Sequence, residues 1–198
     1  MIIREQALEL IREHVKNENI VKHMLAAEAL MSALARRFKV QGSRFEAKEE
    51  FNEEEWAMAG LLHDGDYCEE VPAEKQGIQI TEWVREKGYE IPENVAQAMA
   101  AHNRDNTGVE PKTKMDWALF CGDSLTGLIV ATTLVRPDKK LANIEVKSVM
   151  KKFKNKAFAG GTRRDDIASC EEKLGIALEE FVGIGLKAMQ GIASDLGL

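Results

Sequence analysis

Cysteine is scarce in this sequence: Cys68, Cys121 and Cys170 stand far apart, and no C-x-x-C pair occurs. An odd count without a framework reads as reduced thiols in a cytoplasmic protein. Positive charge is also short, with 27 Lys and Arg against 33 Asp and Glu, a formal net charge of −6. A protein that grips a nucleic-acid polymer needs clustered Lys and Arg to neutralise phosphates, so that class is set aside. The opening MIIREQALELIREHV lacks the apolar stretch and the small-residue cleavage site of a signal peptide, and it reads as an ordinary first helix. Alternating strand patterns are missing. So are internal repeats and any link long enough, or rich enough in Ser and Pro, to separate domains.

What is present is helical periodicity over 198 residues, 44% of them hydrophobic and 30% charged. That composition suits one globular domain with a proper core. Asn19 can cap a helix from Ile20 to Phe38, in which Met24, Ala27, Leu30, Met31 and Leu34 form an apolar stripe. Asn52 before three glutamates starts a helix through Leu62. A helix over Ala73 to Lys87 is stopped by Gly88, and Pro92 opens another that runs to about His102. Thr113 caps a long helix to Arg136, which Pro137 ends. Further helices span Glu145 to Lys154, Asp165 to Leu174 and Leu178 to Ala193. The irregular links are Lys39–Phe51, Asn103–Lys112 and Asn155–Arg164. The expected fold is therefore all-α, a single compact helical bundle over 1–198.

Trp117 to Val135 is nearly apolar over about the length of a membrane span. Asp123 sits near its middle, where a carboxylate costs roughly 2.5–3.5 kcal/mol even on a lenient insertion scale. No second such segment exists. A buried core helix is the better reading, and no membrane partner is expected.

There are only four histidines. His23 falls on the apolar stripe of its helix, which points its ring inward. His63 and Asp64 follow an apolar run at a helix end, where adjacent residues can still reach one ion from the same side. Asp123 is an acid inside an apolar helix, and burying an unpaired carboxylate is costly enough to require a cation or strong donors. Two imidazoles and two carboxylates make a site suited to one divalent ion: Mn, Mg, Fe, Ni, Co or Zn. The bland alternative is that Asp123 pairs with Arg or Lys while the histidines pack.

The order Val21-Lys22-His23-Met24, then Leu61-Leu62-His63-Asp64-Gly65-Asp66-Tyr67, then Gly122-Asp123-Ser124-Leu125 resembles the H…HD…D pattern of the HD superfamily, most closely its small HDIG-type members. The stretch from Arg164 through Leu174-Gly175-Ile176 to Met189 is similar too, so the resemblance covers nearly the whole chain. It implies a helical HD domain with a metal-binding core at about 20–136 and the helices of 145–193 packed on it. It also implies a metal held by His23, His63, Asp64 and Asp123, and hydrolysis of a small phosphate ester, possibly a nucleotide, by a metal-activated water. Asp64 would help position or deprotonate that water. Two-metal relatives carry further histidines, whereas this chain has Gln76 where they often have His. That favours one metal and leaves His102 as a catalytic or phosphate-facing donor, or as a packing residue. Lys75 and Gln76 are the other substrate-binding candidates.

Asp66, Glu69 and Glu70 could act as bases but read first as a solvated acidic turn. Lys147, Lys151, Lys152, Lys154, Lys156, Arg163 and Arg164 form a local basic run, which either attracts an anionic substrate or is simply solvated. His14 has no partner pattern and is expected at the surface. Two functions follow: a phosphohydrolase acting alone or as a homodimer, and a nucleotide-sensing module with little turnover. A purely structural helical protein would leave the buried Asp123 unexplained.

Overall fold

A computed structural model of the chain describes residues 1–42 and 51–198, and every regular element among them is helical. Helix α1 (Arg4–His14) is followed by the long α2 (Glu18–Gly42). The cap of α2 is Asn17, whose Oδ1 accepts the Asn19 backbone N–H at 3.0 Å, so the helix starts before the expected Asn19. It also runs on past Phe38, taking in residues expected to be irregular; 43–50 lie outside the described residues. Helix α3 (Glu53–Leu62) begins as expected, with Asn52 accepting the Glu54 N–H at 3.0 Å.

The single helix expected from Ala73 to Lys87 is instead a 3-10 turn at Ala73–Lys75, a break, and α4 (Gln79–Glu86). The break is Gly77, whose φ of +90° lies in the left-handed region and whose Cβ, if it had one, would sit 2.4 Å from the Met99 carbonyl oxygen. Only glycine fits there. Asp66 organises the same bend. Its carboxylate accepts the Gly77 N–H at 2.9 Å to each oxygen and the Ile80 N–H at 2.9 Å. The side chain is fully buried, so the solvated-turn reading is wrong for Asp66, while Glu69 and Glu70 are exposed.

Helix α5 (Glu93–His102) has Pro92 as its cap, and a short α6 (Arg104–Thr107) occupies part of a segment expected to be irregular. Helix α7 (Lys114–Leu134) carries the expected Thr113 cap, with Thr113 and the buried Asp116 bonded reciprocally. It stops short of Arg136. Then come α8 (Val146–Lys154), α9 (Arg164–Ala168) and α10 (Cys170–Leu174), where one helix was expected over 165–174. Helices α11 (Leu178–Gln190) and α12 (Ala193–Leu196) close the chain.

The bundle is built around α2 and α7. The stripe of α2, from Met24 to Leu34, is buried against α3, α7 and α11. Helix α7 is the one helix among the described residues long and apolar enough to cross a membrane, and most of it is buried under its neighbours. Gly60 sets the approach of α3 to α2, since a Cβ there would lie 2.6 Å from the Ala27 carbonyl oxygen. That contact carries the end of α3, with His63, to the side of His23. His14 is half-buried and stacks on Trp83 with centroids 3.6 Å apart, a partner that lies far along the chain.

Candidate metal centre

Four elements meet at one point. Helix α2 supplies His23, the end of α3 supplies His63 and Asp64, α5 ends on His102, and α7 supplies Asp123. His23 Nε2 lies 3.2 Å from His63 Nε2, 2.9 Å from Asp123 Oδ1 and 3.6 Å from Asp64 Oδ2. His63 Nε2 is 3.6 Å from Asp64 Oδ2 and 3.9 Å from Asp123 Oδ1, and His102 Nε2 is 3.4 Å from Asp64 Oδ1. The four residues expected as ligands are therefore together, and His102 joins them.

The far nitrogen of each ring is already committed. His63 Nδ1 donates to the Gly60 carbonyl at 2.8 Å, and His102 Nδ1 donates to the Met99 carbonyl. A carbonyl oxygen only accepts, so both Nδ1 atoms carry hydrogen. His23 Nδ1 lies 2.9 Å from Thr126 Oγ1, whose own proton goes to the Asp123 carbonyl at 2.8 Å. The hydroxyl therefore accepts from His23. All three Nε2 atoms point at the common centre with the opposite nitrogen anchored, the arrangement that orients metal-binding imidazoles.

Electrostatics follow from this crowding. Burial works against charge on His23, but its hydrogen bond to Asp123 and the charges of Asp123 and Asp64 outweigh it and lift its pKa to about 9. Burial dominates at His63, which is fully enclosed, and lowers its pKa to about 4. His63 is thus neutral, with its Nε2 lone pair directed at the centre. Burial opposes ionisation of Asp64 and Asp123, yet the imidazoles around them hold both carboxyls below the usual range. For His102, burial lowers and Asp64 raises, with a net upward shift. Asp66 goes the other way, as burial outweighs its backbone hydrogen bonds and raises it to about 6.

Could these residues hold a divalent ion? Two overlapping groups, His23–His63–Asp123 and His63–Asp64–His102, each bring their candidate ligand atoms within 4.8 Å of one another. Atoms bonded to one ion at about 2.0–2.3 Å lie roughly 3–4 Å apart, the range of separations measured here. In the metal-free chain the proton on His23 offsets part of the charge of the two largely buried carboxylates, and a divalent ion could take its place. The donor set fits.

The cluster opens into a cleft of about 640 Å³, whose lining includes Gln76 and His102. Gln76 donates to the Val71 carbonyl at 3.2 Å, while Lys75 is exposed and does not line the cleft. Several lining residues had no distinct role in the sequence reading: Tyr67, Asn103, Asn106, Ser124 and residues 159–162. The basic run divides. Lys151, Lys154 and Lys156 are exposed, Lys147 pairs with Glu145 at 2.6 Å, and Arg163 alone of the run reaches the cleft. The signal for the loop was the Ala159-Gly160-Gly161 stretch next to two arginines. No protein-family model, curated protein or solved structure matches this chain.

Proposed function

We propose that the chain is a metal-dependent phosphohydrolase of the HD type, acting on a small phosphate ester. The observation that carries this reading is the convergence of three anchored imidazole Nε2 atoms with the carboxylates of Asp64 and Asp123 at the base of an open polar cleft. His23, His63, Asp64 and Asp123 would hold one divalent ion. Such an ion supplies Lewis acidity, lowering the pKa of water and polarising phosphoryl oxygens.

The remaining work falls to the side chains. Asp64 is next to both the cluster and the cleft, where its carboxylate can orient an incoming water by hydrogen bond. His102, with Nδ1 tied to Met99 and Nε2 facing Asp64, can present an Nε2–H to a phosphoryl oxygen in its protonated form, which the Asp64 carboxylate favours. Thr126 keeps His23 in the orientation that presents Nε2. The proposal is tested by metal analysis of the purified protein followed by a panel of phosphomonoesters and phosphodiesters. Divalent metal with chelator-sensitive turnover supports it. Retained metal with no turnover of any ester would leave the nucleotide-sensing reading, and absence of metal uptake overturns both.

A further inference from the structure

We infer that the cleft holds a second anion subsite, centred on Arg163, that receives a further phosphate or carboxylate group of the substrate. The inference rests on the proposed function for the first phosphate, which the metal cluster would take. Arg163 is the only Lys or Arg that lines the cleft among the described residues. Its ion pairs run to Asp105 at 3.0 Å and Asp166 at 2.7 Å, and none joins it to Asp64 or Asp123. The cation is therefore set apart from the metal cluster yet shares its cleft. Asp166 takes the Nε and Asp105 one Nη1 hydrogen, so Nη2 and the other Nη1 hydrogen are the charged donors left for an oxyanion.

The loop that carries Arg163 is locked. The neighbouring Arg164 turns inward and donates to the carbonyls of Phe153 at 2.8 Å, Asn155 at 3.1 Å and Phe158. The loop is thus wrapped around a guanidinium, which presents Arg163 from a fixed base. A preformed subsite loses little order when its ligand arrives.

Three glycines leave room in the same cleft. Gly127, one turn beyond Asp123 on α7, and Gly160 and Gly161 of the loop all line the cleft. A Cβ added at any of them would meet nothing within 4 Å, and none has a positive φ. Neither packing nor backbone geometry asks for glycine there, and a mid-helix glycine at 127 is destabilising relative to alanine. Bare backbone at these positions widens a trough. The other walls offer uncharged hydrogen-bonding groups such as Asn106 and Thr162, suited to the polar body of a small substrate.

The test uses non-hydrolysable probes on the Mn²⁺-treated protein. Methylphosphonate and a series of α,ω-bisphosphonates with lengthening linkers are titrated by calorimetry. At least one bisphosphonate should bind about tenfold more tightly than methylphosphonate, the gain expected of one added charge-assisted contact. Arg163→Gln should erase that gain and leave methylphosphonate within about twofold of the parent, while Arg163→Lys should keep part of it. Asp105→Asn removes a competing carboxylate from an exposed position and should tighten the best bisphosphonate. No bisphosphonate advantage in the parent, or an advantage that survives Arg163→Gln, overturns the subsite. If no Mn²⁺ is taken up, the hydrolase reading fails by itself, and the same comparison on the metal-free chain decides the subsite. Retained metal and Arg163-dependent binding without ester turnover would likewise sink only the hydrolase reading.

Discussion

Thr126 Oγ1 accepts the Nδ1 proton of His23 at 2.9 Å while giving its own proton to the backbone carbonyl of Asp123. One buried hydroxyl thus links the orientation of an imidazole on α2 to the helix that carries Asp123. Replacing it with valine keeps the shape but leaves His23 Nδ1 unpaired. Thr126→Val should weaken divalent-metal affinity by about ten- to a hundredfold, as loss of such supporting partners does. Thr126→Ser should restore most of it. Isothermal titration with Mn²⁺ or Zn²⁺ reads both, and equal affinities for valine and threonine would remove Thr126 from any role at the centre.

Gly60 controls how closely α3 lies on α2. In Gly60→Ala the new methyl would start 2.6 Å from the Ala27 carbonyl oxygen, so the helices must part. Because His63 follows on α3 and His23 lies on α2, the separation should spoil the metal cluster as well as the packing. The expected stability loss is about 1–3 kcal/mol, the usual cost of overpacking, accompanied by weaker metal binding. Chemical denaturation and metal titration on the same sample check it. A stable variant with parental metal affinity contradicts the close-approach account.

Asp123→Asn and His63→Ala each delete a candidate ligand from a bundle whose apolar packing is spread over many other residues. Both should lose metal on dialysis and lose any hydrolysis, while far-UV circular dichroism stays close to the parent. Either variant turning over the best ester at the parental rate would show that the metal centre is not the source of activity.

His23, His63 and Asp123 were legible because each breaks a local rule, a polar side chain set into an apolar run. The caps at Asn52 and Thr113 were legible for the opposite reason, since their bonds close within one turn. What escaped depended on distant partners. The break at Gly77 answers to the Met99 carbonyl and the Asp66 carboxylate, neither of which is local to it. Asp66 looked like one of several solvated acids until the backbone donors that need it were in place. The 159–163 loop is set by Arg164 and its bonds to the carbonyls of Phe153 and Phe158 just before it, and periodicity cannot show which of two adjacent arginines turns inward and which faces the cleft.

The raised pKa of His23 gives metal uptake a definite pH dependence. Its value rises from 6.5 to about 9 in the folded metal-free chain, so the stability it contributes is complete below the unfolded value and fades as pH climbs through about 9. A metal must displace the Nε2 proton shared with Asp123. Apparent affinity should therefore increase with pH and level off above about 9, with proton release on binding falling to near zero there. Calorimetry in buffers of different ionisation enthalpy counts those protons. Uptake without proton release at neutral pH would mean that His23 is not displaced by the ion.

His102 is the residue whose role the geometry sharpens most. It is 5% exposed, its Nδ1 is tied to Met99, and its Nε2 faces Asp64 at 3.4 Å. Under the proposed HD-type reading one metal is expected, because Gln76 stands where two-metal members of that superfamily often carry His, and Gln76 itself bonds the Val71 carbonyl. His102→Ala should then leave metal near one ion per chain and spare the fold. It should lower kcat/KM for the best ester by roughly ten- to a hundredfold, which corresponds to loss of a hydrogen bond to a charged group. His102→Gln, which keeps an N–H donor, should recover part of the rate without changing metal content. Two ions per parent chain and one per variant would make His102 a ligand of a second ion sharing His63 and Asp64 with the first. Unchanged metal with unchanged kinetics would return it to the packing of α5.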